Sequence, residues 1–310
     1  SIFYPALLRK IPPMNVLPDG LGVALVTPFK NGEIDFPALG NIVEYTISNG
    51  ADFLVVLGTT GEATTLSPEE GHRVIRFIVD TNRKRLPLVA GLFGGSNTRT
   101  IQRRLETFDL SGIDAVMSAS PAYNKPSQEG IFAHYLEIAR TSPLPIIIYN
   151  VPGRTASNVE PETIVKLAHA NDKFIAVKEA SADMIQGMTI MRDAPSQFKV
   201  YSGDDPTAYP LIASGANGLI SVIGNAFPAA YSQFVHAAIT NNHSTARRIN
   251  NDFIDLHPWL YIDGNPAGVK YLLSVMGLCD NELRLPLTPM SPAHSTHIKQ
   301  IIEPLKSYRT

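Results

Sequence analysis

Cysteine is nearly absent: Cys279 is the only one in 310 residues. No intrachain disulfide can form, which fits a reducing compartment. Blocks of lysine and arginine are missing as well, and the formal net charge is only −2, so no nucleic-acid surface is expected. No apolar run approaches the roughly 20 residues that a membrane span requires. The patch from Ile2 to Leu8 is too short, and its basic residues Arg9 and Lys10 follow it, whereas a signal peptide carries its charge first. A soluble, cytoplasmic chain with no membrane partner is expected. Three catalytic signatures are missing too. None of the eight histidines sits in an H-E-x-x-H pattern or in a cluster at metal spacing. There is no G-x-S-x-G elbow. No G-x-G-x-x-G follows a strand, since the glycines of Gly91-Leu92-Phe93-Gly94-Gly95 are wrongly spaced.

What is present is ample apolar material: 44% of residues are hydrophobic and 17% charged, enough for one large domain or two ordinary ones. Residues 1–20, with Pro12-Pro13, read as an extension ahead of the fold and receive no function. From Leu21 the chain alternates. Gly22 to Pro28, Phe53 to Gly58, Leu86 to Phe93, Ala115 to Pro121, Pro145 to Asn150, Phe174 to Ala180, Lys199 to Gly203 and Gly218 to Gly224 are apolar runs of strand length. Amphipathic segments lie between them. Asp35 offers an N-cap, Ser67-Pro68-Glu69-Glu70 a capping box, Asn97 or Thr98 another cap, and Asp205-Pro206 a further helix start. Eight strands alternating with helices predict a parallel α/β fold. A doubly wound sheet is the competitor. The count of eight, and polar residues after several strands instead of at one switch point, favour a TIM (β/α)8 barrel over residues 21–225. Residues 226–310 read as a C-terminal helical appendage, with starts at Asn225/Pro228, Ser244 and Asn265/Pro266.

In such a barrel the chemistry lies at the carboxyl ends of the strands. Those ends bring together Thr27, Gly58-Thr59-Thr60-Gly61-Glu62, Tyr123, Tyr149 through Arg154, Lys178-Glu179, Ser202 through Asp205 and Gly224-Asn225. Lysine is rarely buried, because its ammonium loses hydration unless it is paired or neutral. Lys178 closing a buried strand is therefore either a paired structural charge or an amine used in chemistry. Glu179, its neighbour, faces the other way on a strand. An unprotonated amine attacks a ketone to form an imine, and burial favours the neutral form of such an amine. Ala176, two residues back on the same face, leaves room for the lysine stem. Thr59, Tyr123 and Tyr149 offer hydroxyls to relay protons. The N–H groups of the Gly-Thr-Thr-Gly turn or the Arg154 guanidinium can hold a carboxylate. Asp205 before Pro206 reads as an N-cap, and the sequon-like Asn242-His243-Ser244 as an accident.

Gly58-Thr59-Thr60-Gly61-Glu62, Tyr149-Asn150-Val151-Pro152-Gly153-Arg154-Thr155 and Val177-Lys178-Glu179-Ala180 together resemble the signature segments of the dihydrodipicolinate synthase / N-acetylneuraminate lyase family. The similarity runs from about Leu21 to Leu305 and includes Ser202-Gly203-Asp204-Asp205 and Gly264-Asn265-Pro266-Ala267. It is greatest to the synthase branch. The resemblance implies condensation of pyruvate with aspartate semialdehyde in lysine biosynthesis, with no metal or organic cofactor. It implies that Lys178 forms the imine with pyruvate and that Tyr149 is the acid/base beside it. Thr59 would link Tyr149 to Tyr123, which in the family reaches into a neighbouring subunit of a homotetramer, a dimer of dimers. Thr59 and Thr60 would hold the pyruvate carboxylate, Arg154 that of the semialdehyde, and Ile220 would present its carbonyl near the pyruvate-derived group. One departure stands out: an aromatic and two histidines that serve lysine inhibition in some relatives appear here as Ala122, Pro68 and Gly71, so weak or absent lysine feedback is expected. Two other readings remain: a sibling aldolase acting on N-acetylneuraminate or a 2-keto-3-deoxy sugar acid, and a catalytically silent barrel that binds a ligand or serves as a scaffold.

Overall fold

The structure, a computed structural model, describes residues 17–308. Residues 1–16, including the Ile2–Leu8 patch and Pro12-Pro13, lie outside the described residues. Within the described part, Leu17 is buried, and Pro18 accepts the Tyr201 hydroxyl at 2.8 Å. Lys199 donates to the Leu17 carbonyl and to Asp19, both at 2.7 Å. The segment just before the first strand thus closes the amino-terminal end of the barrel.

Eight strands form it: β1 Gly20–Ala24, β2 Phe53–Val56, β3 Leu88–Ala90, β4 Ala115–Ala119, β5 Ile146–Asn150, β6 Phe174–Glu179, β7 Lys199–Ser202 and β8 Gly218–Ser221. All neighbours pair in parallel, and β8 returns to β1 with Gly22 beside Ile220, so the sheet closes. That closure decides against the doubly wound alternative. Each strand is covered on both faces, which is why runs such as Ile146-Ile147-Ile148 are apolar throughout instead of alternating. Alternation still sorts them. Phe53, Val55, Met117, Ile147, Ala176 and Ile220 fill the interior, while Leu54, Ile146, Ile148 and Val177 pack outward against the helices.

The covering helices are α1 Phe36–Ser48, α2 Pro68–Asn82, α3 Thr98–Thr107, α4 Gln128–Thr141, α5 Pro161–Ala170, α6 Met184–Asp193, α7 Ala208–Ala213 and α8 Pro228–Ile239. Asp35 and Asn97 cap α1 and α3, and Ser67 with Glu70 forms the capping box of α2. One expected cap is corrected. Asp205 caps no helix: it turns inward and accepts from Ser221 Oγ at 2.5 Å, from the Val222 and Ile223 amides, and from the Tyr261 hydroxyl at 3.1 Å. Asp204 instead accepts from the Thr207 amide and hydroxyl. The reason is that β8 ends in a turn whose Val222 and Ile223 amides need a buried acceptor, and Asp205 supplies it.

Past α8 come four more helices, α9 His243–Phe253, α10 His257–Tyr261, α11 Ala267–Val275 and α12 Pro292–Ile302, the last two separated by a non-helical stretch. Asn242 caps α9, two residues before the expected start at Ser244. Asn225 starts no helix. Its amide donates to Ala24 O at 2.7 Å and its oxygen accepts the Val26 amide, tying the end of β8 to that of β1.

Candidate active site

The barrel mouth is built from two residues on adjacent strands. Tyr149 on β5 and Lys178 on β6 stand side by side in register, both facing inward. The Lys178 ammonium lies 4.4 Å from the centroid of the Tyr149 ring, a cation–π distance. Lys178 is only 5% exposed. No carboxylate forms an ion pair with it among the described residues, and it has no hydrogen-bond partner there.

Its sequence neighbour explains why. Glu179 faces the outside of the barrel and is fully engaged: Asn150 donates at 3.1 and 3.2 Å, Gln186 at 3.0 Å and the Ser181 amide at 2.8 Å. Asn150 in turn accepts the Val159 amide. The outward residues of β5 and β6 are thus locked to each other, which fixes the register that sets Tyr149 beside Lys178. The reading of Lys178 as a salt-bridged structural charge fails on this arrangement. Room for the lysine stem comes from a residue whose role was not read from the sequence. A Cβ on Gly203 would lie 2.9 Å from Lys178 Cγ and 2.8 Å from Ala180 Cβ, so a side chain there would displace the amine.

After β2 comes the turn Gly58–Glu62. It is framed by two non-glycine residues in the left-handed region, Leu57 at φ 56° and Glu62 at φ 52°, each a strain of about 1–2 kcal/mol. The turn bonds Gly61 N to Gly58 O and Glu62 N to Thr59 O. The amides of Thr59 and Thr60 donate to no acceptor among the described residues, so they stand free for an anion. The Thr60 hydroxyl accepts from Asn265 Nδ2 at 2.9 Å, and Asn265 Oδ1 is buried without a partner among the described residues. No hydrogen bond joins Thr59 Oγ1 to the Tyr149 hydroxyl.

Two of the sequence-derived residues stand apart. Tyr123 is 94% exposed, with φ 73°, and its amide is tied to Thr155 O at 3.0 Å. Its ring projects away from the chain that carries it. Arg154 sits on the helical turn Pro152–Thr155 that follows β5, exposed and with no side-chain partner among the described residues. Ile220 is buried in the barrel interior one residue before Ser221, where Asp205 grips the chain. Behind that grip lies a closed polar layer. Burial together with the Asp205 charge pushes the Tyr231 and Tyr261 phenols well above their ordinary range, and burial holds His257 below its own.

The geometry offers a buried unpaired amine, a phenol beside it, two free amides and a guanidinium at the rim. That is equipment for imine chemistry on a keto acid. Comparison with known proteins agrees with it. The model of the dihydrodipicolinate synthetase family matches residues 17–305. A 4-hydroxy-tetrahydrodipicolinate synthase of Parabacteroides distasonis is 47% identical over 92% of this chain and 96% of its own. Among solved structures, a dihydrodipicolinate synthase of Acinetobacter baumannii, chloride-inhibited and complexed with pyruvate, superposes with a TM-score of 0.88 at 39% identity, covering 92% of this chain and 98% of that one. A monomeric dihydrodipicolinate synthase variant reaches a TM-score of 0.90 at 33% identity over 94% and 97% of the two chains. With the family model spanning nearly the whole described fold, this chain belongs to the dihydrodipicolinate synthetase family.

Proposed function

We propose that this chain condenses pyruvate with L-aspartate 4-semialdehyde to 4-hydroxy-tetrahydrodipicolinate, on the diaminopimelate route to lysine. The observation that carries the reading is Lys178: a buried amine at a strand end, without a counter-ion among the described residues, against the Tyr149 ring. Its nitrogen attacks the ketone carbon of pyruvate, and the adduct loses water to give an imine. A proton then leaves the methyl carbon and its electron pair moves toward the imine nitrogen. The resulting enamine attacks the aldehyde carbon, and the new alkoxide takes a proton. Finally the amino group of the semialdehyde adds to the imine carbon, closing the ring and expelling the lysine amine. One water is lost overall. The imine itself is the electron sink, so no metal or organic cofactor enters the proposal.

Tyr149 is the acid/base beside the imine nitrogen and the new bond. The free Thr59 and Thr60 amides and hydroxyls hold the pyruvate carboxylate, and the Ile220 carbonyl faces the group derived from it. In this proposal Tyr123 from a neighbouring copy in a homotetramer completes the proton relay through Thr59, whose hydroxyl makes no bond to Tyr149 within the single chain. Its near-complete exposure on a left-handed backbone supports that assignment. Cytoplasmic placement belongs to the same reading; no described helix is long and apolar enough to cross a membrane.

Arg154 separates this activity from a sugar-acid aldolase. A semialdehyde carries a second carboxylate that suits a guanidinium, whereas a polyol tail needs neutral partners. Arg154→Leu is expected to raise the semialdehyde KM about ten- to a hundredfold, the loss of one charge-assisted contact, and to leave the pyruvate KM nearly unchanged. Turnover of wild-type protein with pyruvate and N-acetylmannosamine, and none with the semialdehyde, would move the assignment to the aldolase. Ala122, Pro68 and Gly71 also predict insensitivity to feedback. Titration with L-lysine should leave the rate unchanged through the submillimolar range, and half-inhibition within it would refute the prediction.

A further inference from the structure

The turn that carries Thr59 and Thr60 is strained, yet among the described residues the barrel itself hydrogen-bonds it only through Thr27 Oγ1 on the Gly61 carbonyl at 2.7 Å. The remaining grips come from the C-terminal region. Asn265, just before α11, donates to Thr60. Lys270 on α11 is fully buried and meets Glu62 Oε1 at 2.5 Å; among the described residues that oxygen has no other partner. The Arg284 amide donates to Glu62 Oε2 at 3.2 Å. The ammonium of Lys270 also donates to Glu282 O at 2.9 Å and lies 4.2 Å from the Phe29 ring centroid. Around this centre the same region clasps the other mouth loops. The Glu282 carboxylate accepts the Asn31 and Gly32 amides, and Arg284 forms a two-pronged pair with Glu70 at the start of α2.

A buried ion pair is a poor way to gain stability, since hydrophobic replacements of similar volume often do as well. Its directional demand is another matter: both charges must stay apposed or remain stranded without solvent. Burial works against the Lys270 charge and the Glu62 carboxylate supports it, and the two stay apposed at 2.5 Å while Glu62 keeps its left-handed backbone. We infer that Lys270 is a positioning residue for substrate. Through its buried pair with Glu62, it holds the Gly58–Glu62 turn in the conformation that leaves the Thr59 and Thr60 amides free for a carboxylate. The helical C-terminal region is in this sense part of the anion site, although it contributes no group that touches the reacting atoms. The inference rests on the proposed role of that turn in binding the pyruvate carboxylate.

The test compares wild type with Lys270→Met and Glu62→Gln in the full-length protein by two measurements. The first is amide hydrogen exchange. Peptides covering residues 57–66 should exchange at least about tenfold faster in both variants, while peptides from β4 and β5 keep wild-type protection. The second is the pyruvate dependence of turnover. The pyruvate KM should rise about tenfold or more, with kcat within about threefold, because a displaced carboxylate cradle weakens binding before it affects chemistry at Lys178. Glu62→Gln keeps the shape of the side chain and guards against a Lys270→Met protein that fails to fold. Unchanged exchange in the turn, or acceleration spread evenly over the barrel, overturns the inference. So does a loss of kcat at constant KM. If wild-type protein does not react with pyruvate at all, the proposed function fails, and the exchange experiment alone still decides whether Lys270 fixes the turn.

Discussion

Replacing Lys178 by alanine is expected to lower turnover by about 10⁴-fold or more, the scale seen when a covalent nucleophile is removed and no second group can take its place. Among the described residues the only other buried lysine is Lys270. Lys270 is locked to Glu62 behind the Gly58–Glu62 turn, and Lys199 is bound to Leu17 and Asp19 at the opposite end of the barrel. The protein should nonetheless remain folded. Lys178 has no ion-pair partner to strand, and Glu179 keeps its own donors on the outer face, so the thermal midpoint of Lys178→Ala should stay close to wild type. A variant that is inactive because it has unfolded would instead show a large drop in that midpoint. Steady-state rates with both substrates, read beside a melting curve, distinguish the two.

The second large effect belongs to Tyr149. Tyr149→Phe keeps the ring against which the Lys178 ammonium rests at 4.4 Å and removes only the hydroxyl. The expected loss in kcat is about 10²- to 10⁴-fold, the range for a positioned acid/base. Imine formation should be slowed without being abolished, because the amine survives. Lys178→Ala should give no adduct at any time, whereas Tyr149→Phe should give one slowly. A Tyr149→Phe protein with wild-type kcat would remove the phenol from the mechanism and leave only a packing role for the ring.

The strand ends were legible in the sequence because a parallel barrel writes itself as short apolar runs closed by polar residues. Period-two alternation carried the orientation of Lys178 and Glu179 correctly: Ala176 and Lys178 face inward, and Glu179 meets Asn150 and Gln186 outside. Local rules failed where the partner is remote. Asp205-Pro206 has the form of a helix start, but the acceptor it supplies is needed by Ser221, Val222 and Ile223 at the end of the next strand. The grip of Asn265 on Thr60 spans 205 positions in the chain, and nothing in either segment alone announces it. Gly203 stood inside a recognised motif, yet its function follows from the packing of the Lys178 stem, which sequence does not display. Tyr123 marks a different boundary. Its place in the resemblance is a relay between subunits, and a single chain leaves its ring in solvent.

The central claim is that Lys178 is a buried amine held for imine formation. Reduction with borohydride in the presence of pyruvate, followed by peptide mass analysis, tests it most directly. The account predicts a mass gain of one reduced pyruvate on the peptide containing Lys178, absent without pyruvate and absent from Lys178→Ala. Wild-type protein that turns over its substrates but carries no such adduct, or carries it on another lysine, would contradict it.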